Sequence, residues 1–142
     1  MSVKIIYMQK IISLLLVIFS NLTLAENKDW TLLHTDSEHK KTFYINLGQF
    51  SFVNGKTRMW IMENYESKQI VGSVQFFSIK SLVQFDCNQN LIRILAYSLY
   101  DKKNAGGNAI FSKSKPMEWG KVKLNTINSA YKNVACQEAN SS

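Results

Sequence analysis

The feature that most constrains the fold is the dipeptide Asn54-Gly55, which separates two runs of strand-forming residues. A two-residue type I′ turn needs positive φ at both central positions, and Asn-Gly is the pair that adopts it most readily. Phe50 to Val53 precede the dipeptide, and Thr57 to Tyr65 follow it with regular alternation. The pattern therefore predicts an antiparallel hairpin, and the rest of the chain must fit around paired strands.

The strand after this turn carries apolar residues on both of its faces. Alternation divides its side chains into two sets, Arg58, Trp60 and Met62 on one face and Met59, Ile61 and Tyr65 on the other. Such a strand predicts either cover on both sides of the sheet or one face that serves as an interface. Trp60 is therefore either a core residue or, with Arg58, part of a contact surface, because both residue types are enriched at interfaces.

Further strand signals extend along most of the chain. With the strand over residues 57–65 they predict about six strands, the others lying over residues 30–34, 42–46, 74–87, 91–100 and 109–112. Leu47-Gly48 should break the second strand, and residues 66–73 are expected to form a loop. Residues 112–123 show no clear period. The composition, 46% hydrophobic and 19% charged, fits one globular domain.

The C-terminal segment changes to a helical period. Ile127, Ala130, Tyr131 and Val134 recur at spacings of three and four residues and form one apolar stripe. We expect a helix over residues 126–136 with Asn125 as its N-cap, followed by a frayed tail over 137–142. A sheet followed by one packed helix predicts the α+β class.

The N-terminus has the pattern of an export signal. Lys4 and Lys10 precede a short apolar run, residues 11–19, and Thr23 and Ala25 supply the small side chains of a cleavage site. Residues 1–25 are predicted to be a signal peptide and residues 26–142 a single domain. The alternative is an uncleaved N-terminal anchor, although the run is too short to span a bilayer stably. After cleavage no stable transmembrane segment is expected.

Cys87 and Cys136 are the only cysteines. In an oxidising compartment an even pair without other thiols predicts a disulfide, here between the end of a long strand and the end of the helix. The alternatives are a metal site and a catalytic thiol. Both lack supporting residues, because no second ligand pair and no neighbouring His accompany either cysteine.

The chain is basic, with 17 Lys and Arg against 10 Asp and Glu. Four lysines surround one tryptophan in the aperiodic segment, and this candidate basic face comprises Lys113, Lys115, Trp119, Lys121 and Lys123. Export removes nucleic acid from the available partners, which leaves an anionic glycan or an acidic protein. The alternative is a solvated surface that serves only solubility.

The motifs of catalysis and metal binding are weak. His34 and His39 lie in a polar turn without further spaced ligands, so no metal or other cofactor is expected. Glu63 and Glu66 could meet at a strand end, but exposed acids there are common, so we do not predict a glycosidase pair. Asp86 and Arg93 are expected to form a cross-strand ion pair with a structural role.

The ordered set of short motifs resembles the bacterial surface-adhesin protein E family. In chain order the motifs are Trp30, Tyr44-Ile45-Asn46, Arg58-Met59-Trp60-Ile61-Met62, Phe85-Asp86-Cys87 with Arg93-Ile94-Leu95, Pro116-Met117-Glu118-Trp119, and Val134-Ala135-Cys136. The resemblance implies a six-stranded antiparallel sheet whose concave face is covered by the C-terminal helix, a Cys87–Cys136 disulfide, and often a homodimer. It also implies binding instead of catalysis, since the namesake members adhere to host extracellular proteins.

The sequence departs from the family pattern at two places. It has no lipid-attachment cysteine, and Lys123-Leu124-Asn125 replaces the Pro-Gly-Ser that commonly precedes the family helix. The first departure leaves periplasmic, secreted and cell-surface locations all open. We therefore predict an exported, non-enzymatic binding module that adheres to host or envelope macromolecules. The alternative is a periplasmic inhibitor or accessory protein that binds an envelope enzyme or an anionic glycan through a basic face.

Overall fold

The computed structural model describes residues 29–141, so the predicted signal peptide lies outside the described residues. The elements are β1 (Trp30–Asp36), β2 (Lys41–Val53), β3 (Lys56–Val71), β4 (Val74–Asp86), β5 (Leu91–Tyr100), β6 (Ala109–Lys113), β7 (Gly120–Lys121) and α1 (Ile127–Ser141). This architecture confirms the α+β class, with six main strands and one C-terminal helix.

The sheet is an antiparallel meander in which consecutive strands pair from β1 through to β6. The two-residue strand β7 lies beside the start of β5, where Leu91 is opposite Lys121, whereas β6 pairs with the end of β5. β7 falls within the segment for which the sequence shows no period. Two residues are too few to show one.

The turns form as their residue types predict. Asn54 and Gly55 have φ values of 53° and 71°, so the Asn-Gly dipeptide closes the β2–β3 hairpin in the left-handed conformation. Asn90 adopts a φ of 58° in the turn between β4 and β5. Asparagine tolerates this region because its short polar side chain can bond locally to the backbone.

Two boundaries differ from the sequence predictions. β2 does not break at Leu47-Gly48, because the strand absorbs these residues in a register shift between Asn46 and Phe50. The predicted loop over 66–73 is also wrong, since β3 pairs with β4 up to Val71 and only a tight turn remains. Main-chain pairing continues there although the side chains no longer alternate, and alternation was the only signal the sequence offered.

One side of the sheet, the helix face, packs against α1 and holds the core. The fully buried side chains come from the central strands and from the helix, namely Phe43, Ile45, Met59, Ile61, Val83, Phe85, Tyr131 and Ala135. Phe43 and Tyr131 meet edge to face, with ring centroids 6.4 Å apart. The apolar stripe of the helix therefore packs on the face of β3 that carries Met59 and Ile61.

The helix begins one residue later than predicted and ends later too. Thr126, not Asn125, caps it, because the Ser129 N–H donates to Thr126 Oγ1 at 3.3 Å while the Thr126 N–H donates to Ser129 Oγ at 3.2 Å. Asn125 takes a φ of 57° just before the cap. Where the sequence predicts an end near Cys136, α1 continues to Ser141.

A disulfide joins Cys87 to Cys136, as the sequence predicts, across a separation of 49 residues. Cys87 directly follows β4, and Cys136 lies on the third turn of α1. The bridge therefore fixes the helix to the sheet near the β4–β5 turn. Within residues 29–141, no helix is long and apolar enough to cross a membrane.

Candidate binding surface

The side of the sheet opposite α1 is here called the outer face. Strand register arranges its side chains in rows across β3, β4 and β5. One row holds Arg58, Gln84 and Arg93, the next Trp60, Leu82 and Ala96, and the third Met62, Lys80 and Ser98. No carboxylate lies in these three rows. The outer face is therefore a surface of aromatic, apolar and cationic groups.

Two tryptophans hold Lys80 between them on this face. Its Nζ lies 4.7 Å from the Trp60 ring centroid and 5.8 Å from that of Trp30. Ammonium groups at these distances are attracted to the electron-rich face of indole. Because β1, β3 and β4 each supply one of the three residues, the cluster depends on the register of the whole sheet.

Arg93 links a second aromatic ring to the same face. Its Nε and Nη2 both donate to Gln84 Oε1, at 2.9 and 2.7 Å. The guanidinium carbon lies 4.4 Å from the Trp119 ring centroid. Gln84 thus fixes the orientation of the Arg93 guanidinium, which lies against the Trp119 ring.

The expected Asp86–Arg93 ion pair does not form. The β4–β5 register places Asp86 opposite Leu91, so Arg93 faces Gln84 instead. Asp86 pairs with Lys56 of β3 at 3.3 Å. Backbone N–H donation from Gln89 is the main reason that the pKa of Asp86 is lowered, with Lys56 and Asn88 adding to the effect.

A pocket of about 350 Å³ opens on the outer face beside Lys80. It is lined by Trp30, Tyr44, Met62, Lys80, Tyr100, Asn104 and Ala105. The connection between β5 and β6 forms one wall, and buried polar groups hold it in place. The Asn104 N–H donates to Asn64 Oδ1 at 2.8 Å, and the Ala105 N–H donates to Ser78 Oγ at 3.0 Å. The wall is therefore fixed to β3 and β4.

The model of a known family, described as surface-adhesin protein E, matches residues 30–137. The chain belongs to the surface-adhesin protein E family. The match spans every described strand and most of α1, so the motifs of the resemblance lie within it.

Solved structures of protein E from Haemophilus influenzae share the fold. One has a TM-score of 0.60 at 12% identity and covers 81% of this chain and 89% of that chain. A second crystal form gives a TM-score of 0.56 at 13% identity and covers 77% of this chain and 96% of that chain. Comparison of the sequence with curated proteins finds no match. At these identities the structures establish the fold.

In this member of the surface-adhesin protein E family, the candidate residues fall into two groups. Arg58 and Trp60 lie on the outer face, and Arg93, in the same row as Arg58, contacts Trp119. Arg93 donates two hydrogen bonds to Gln84, and its contact with Trp119 adds that ring to the outer face.

The four lysines of the candidate basic face are spread along the sheet edge. Lys113 is opposite Tyr97 near the end of β5, and Lys121 is opposite Leu91 at its start. Six residues of strand separate the two positions, or roughly 20 Å. Lys115 and Lys123 are exposed in the segments before and after β7. The grouping of these lysines around Trp119 therefore stays a sequence prediction.

Sequence reasoning missed the residues that form the pocket. Lys80, Trp30, Tyr44 and Tyr100 come from four different strands, and only register brings them together. A usable signal existed for Lys80, because alternation from Leu82 and Gln84 places it on the face away from Val83 and Phe85. The pairing of Lys80 with Met62 additionally required the exact length of the β3–β4 turn.

The two histidines are engaged in local contacts. His39 Nδ1 lies 2.9 Å from Asp36 Oδ2, and the His34 ring stacks on Phe43 at a centroid distance of 6.0 Å. The His39 backbone N–H is the main cause of the lowered pKa of Asp36. Across residues 29–141, no group of three or more metal-ligating side chains forms.

Proposed function

We propose that this chain is an exported, non-enzymatic adhesin-like module that binds an anionic protein or glycan through its outer face. The observation that carries the proposal is the composition of that face. Three tryptophans and the cations Arg58, Lys80 and Arg93 share a surface whose central rows hold no carboxylate. Family membership supports binding as the general role.

The energetics of interfaces favour this face over the rest of the sheet. Tryptophan and arginine concentrate binding energy because they bury large areas and donate directional hydrogen bonds. Arg93 is already fixed by Gln84 and Trp119, so it loses little side-chain freedom when a partner binds. A surface of one charge sign also steers an oppositely charged partner toward it.

Export is part of the proposal. It is supported by the signal-like residues 1–25, by the disulfide, which forms in oxidising compartments, and by family membership. The homodimer implied by the family resemblance belongs to the proposal as well. Its test is sedimentation of the purified protein at several concentrations.

Fractionation of cells that express a C-terminally tagged chain tests the location. Protease treatment of intact cells then asks whether the tag is exposed outside. Digestion of the tag supports adhesion to an external partner. A protected, soluble periplasmic protein would contradict adhesion and would favour the inhibitor or accessory role.

A pair of charge-reversal variants tests the surface. Arg58→Glu changes an exposed cation on the outer face, and Lys113→Glu makes the same change on β6 at the sheet edge. We expect Arg58→Glu to weaken capture by immobilised extracellular matrix proteins or anionic glycans by about tenfold or more, while Lys113→Glu stays near wild type. Equal losses in both variants would contradict a role specific to the outer face.

A further inference from the structure

The pocket on the outer face has the size of a small-ligand site. Its volume of about 350 Å³ lies at the lower end of the usual range for such sites. It accepts one sugar ring with its substituents, and the neighbouring outer face leaves room for the ring's continuation into a chain. A folded protein domain could not enter it.

The walls of the pocket are flat and aromatic. Trp30, Tyr44 and Tyr100 line it, and Trp60 adjoins it through the shared Lys80 contact. The face of an aromatic ring is electron-rich and attracts weakly positive C–H groups. A pyranose ring presents such C–H groups on its flat sides, so these walls suit a sugar better than a linear polar chain.

Lys80 supplies a charge that nothing in the described part of the chain balances. Lys80 is half-buried and its ammonium lies against the two indole rings, whereas neither of the ion pairs Lys56–Asp86 and His39–Asp36 involves it. A partly buried cation gains most from an anionic partner at close range. The pocket therefore favours a ligand with a negative charge next to its ring.

Donors for hydroxyl groups surround the same space. The hydroxyls of Tyr44 and Tyr100 make no hydrogen bond to the described residues. Asn104 uses its backbone N–H and its Oδ1 to bond Asn64, which leaves its Nδ2 able to donate into the pocket. Two hydroxyls, one amide and one ammonium match the equatorial hydroxyls and the carboxylate of a sugar acid.

We infer that this pocket binds a hexuronate residue of an acidic glycan, with the carboxylate on Lys80 and the ring against the aromatic walls. The inference rests on the proposed function and names its ligand class. A carboxylate fits better than a phosphate, because the pocket contains a single lysine and neither an arginine fork nor a helix N-terminus.

Binding of defined oligosaccharides to the exported protein, as cells produce it, tests this directly. The probes are a galacturonate tetrasaccharide and a hyaluronan tetrasaccharide, measured by calorimetry and by tryptophan fluorescence at about 0.15 M salt. We expect at least one to bind and to change the fluorescence, because Trp30 and Trp60 lie at the pocket. The methyl ester of the galacturonate probe keeps the ring but removes the charge, and we expect it to bind at least tenfold more weakly.

Substitutions at Lys80 separate charge from packing. Lys80→Met keeps a long apolar stem and should weaken uronate binding about tenfold or more, while Lys80→Arg should retain most of it. Lys132→Met, the same replacement on α1 across the sheet from the pocket, is the matched control and should bind like wild type. Tyr100→Phe removes one hydroxyl and should cause a smaller loss than Lys80→Met.

Three results would overturn the inference. In the first, neither tetrasaccharide binds; in the second, a tetraglutamate peptide binds as tightly as the uronates, which would show attraction by charge alone. The third is that Lys80→Met leaves uronate affinity unchanged but alters the sedimentation of the protein, which would assign the face to a second copy of this chain. If neither uronate probe binds while Arg58→Glu still abolishes capture by matrix proteins, the proposed function is retained and only the hexuronate ligand class is rejected.

Discussion

The two faces of the sheet differ in what the chain itself supplies to them. The helix face is covered by α1, which buries Tyr131 and Ala135 against strand residues and is fixed by a disulfide. The outer face has no covering element among the described residues: its tryptophans, Lys80 and Arg93 are half-buried, and Arg58 is exposed. Adjacent residues of one strand, such as Arg58 and Met59, therefore lie on opposite faces, and under the proposed function a change in the binding face need not disturb the core.

Loss of the disulfide should change the unfolding free energy most, and it tests whether α1 needs the covalent link to cover the helix face. In the chain-entropy model, opening a loop of 49 residues costs about 4 kcal/mol of unfolding free energy. We expect Cys136→Ser to lower stability by an amount of that order in urea unfolding. Wild type in reducing agent is the control and should unfold at the same denaturant concentration as the variant. Unchanged stability in both would show that the helix is held by packing alone.

A pair of neighbouring truncations sharpens the division between the faces. Met59 is fully buried on the helix face, and Arg58 is exposed on the outer face. We expect Met59→Ala to cost about 3 kcal/mol, because it leaves a cavity, and Arg58→Ala to stay within about 0.5 kcal/mol. Chemical unfolding of both variants provides the measurement. Similar losses in both would mean that the outer face is also core.

Acid should weaken the protein partly through Asp86. Because its pKa in the folded state lies below the ordinary value of 3.8, its contribution is present above that pH and disappears as the pH falls through the lowered pKa. We expect Asp86→Asn to make the decline of unfolding free energy below pH 3.8 shallower. Glu118→Gln, a carboxylate-to-amide replacement at an exposed position, is the control, and its unfolding free energy should fall with pH as that of wild type does. If unfolding free energy depends on pH in the same way in Asp86→Asn and in wild type, Asp86 does not contribute to the loss of stability in acid.

The smallest effect concerns a single hydroxyl on the helix face. The Tyr131 hydroxyl is buried and finds no hydrogen-bond partner among residues 29–141, and burial raises its pKa. Tyr131→Phe removes the unpaired group, so we expect unfolding free energy to stay level or to rise by about 1 kcal/mol. Thermal unfolding measures it. A loss above about 1 kcal/mol would show that the hydroxyl is satisfied.

Local signals predicted most of the fold. The Asn54-Gly55 turn, the alternation of β3 and the apolar stripe around Tyr131 each depend on neighbours in the sequence, and all three are confirmed. The continuation of β3 to Val71 could not be predicted in this way, because it depends on the pairing of Gln69, Ile70 and Val71 with β4 beyond a register shift.

The candidate site could be predicted only in part. Arg58 and Trp60 share a face by simple alternation, so the sequence identified them as a surface. The partners of Lys80 depend instead on three registers and on bulges such as the one between Leu82 and Val83. That bulge shifts the pairing by one residue, and no residue type in the sequence predicts it.

The meander order of the strands has a consequence for how the protein is assembled. Each of β1 to β5 finds a partner in the next segment to be synthesised, so the sheet can grow hairpin by hairpin from local contacts. The helix follows every strand of the described residues, and Cys87 is made 49 residues before Cys136. In a nascent molecule the Cys87 thiol is therefore unpaired and the helix face of the sheet is uncovered until α1 has been made. Formation of the disulfide then pairs the thiol and holds α1 over that face.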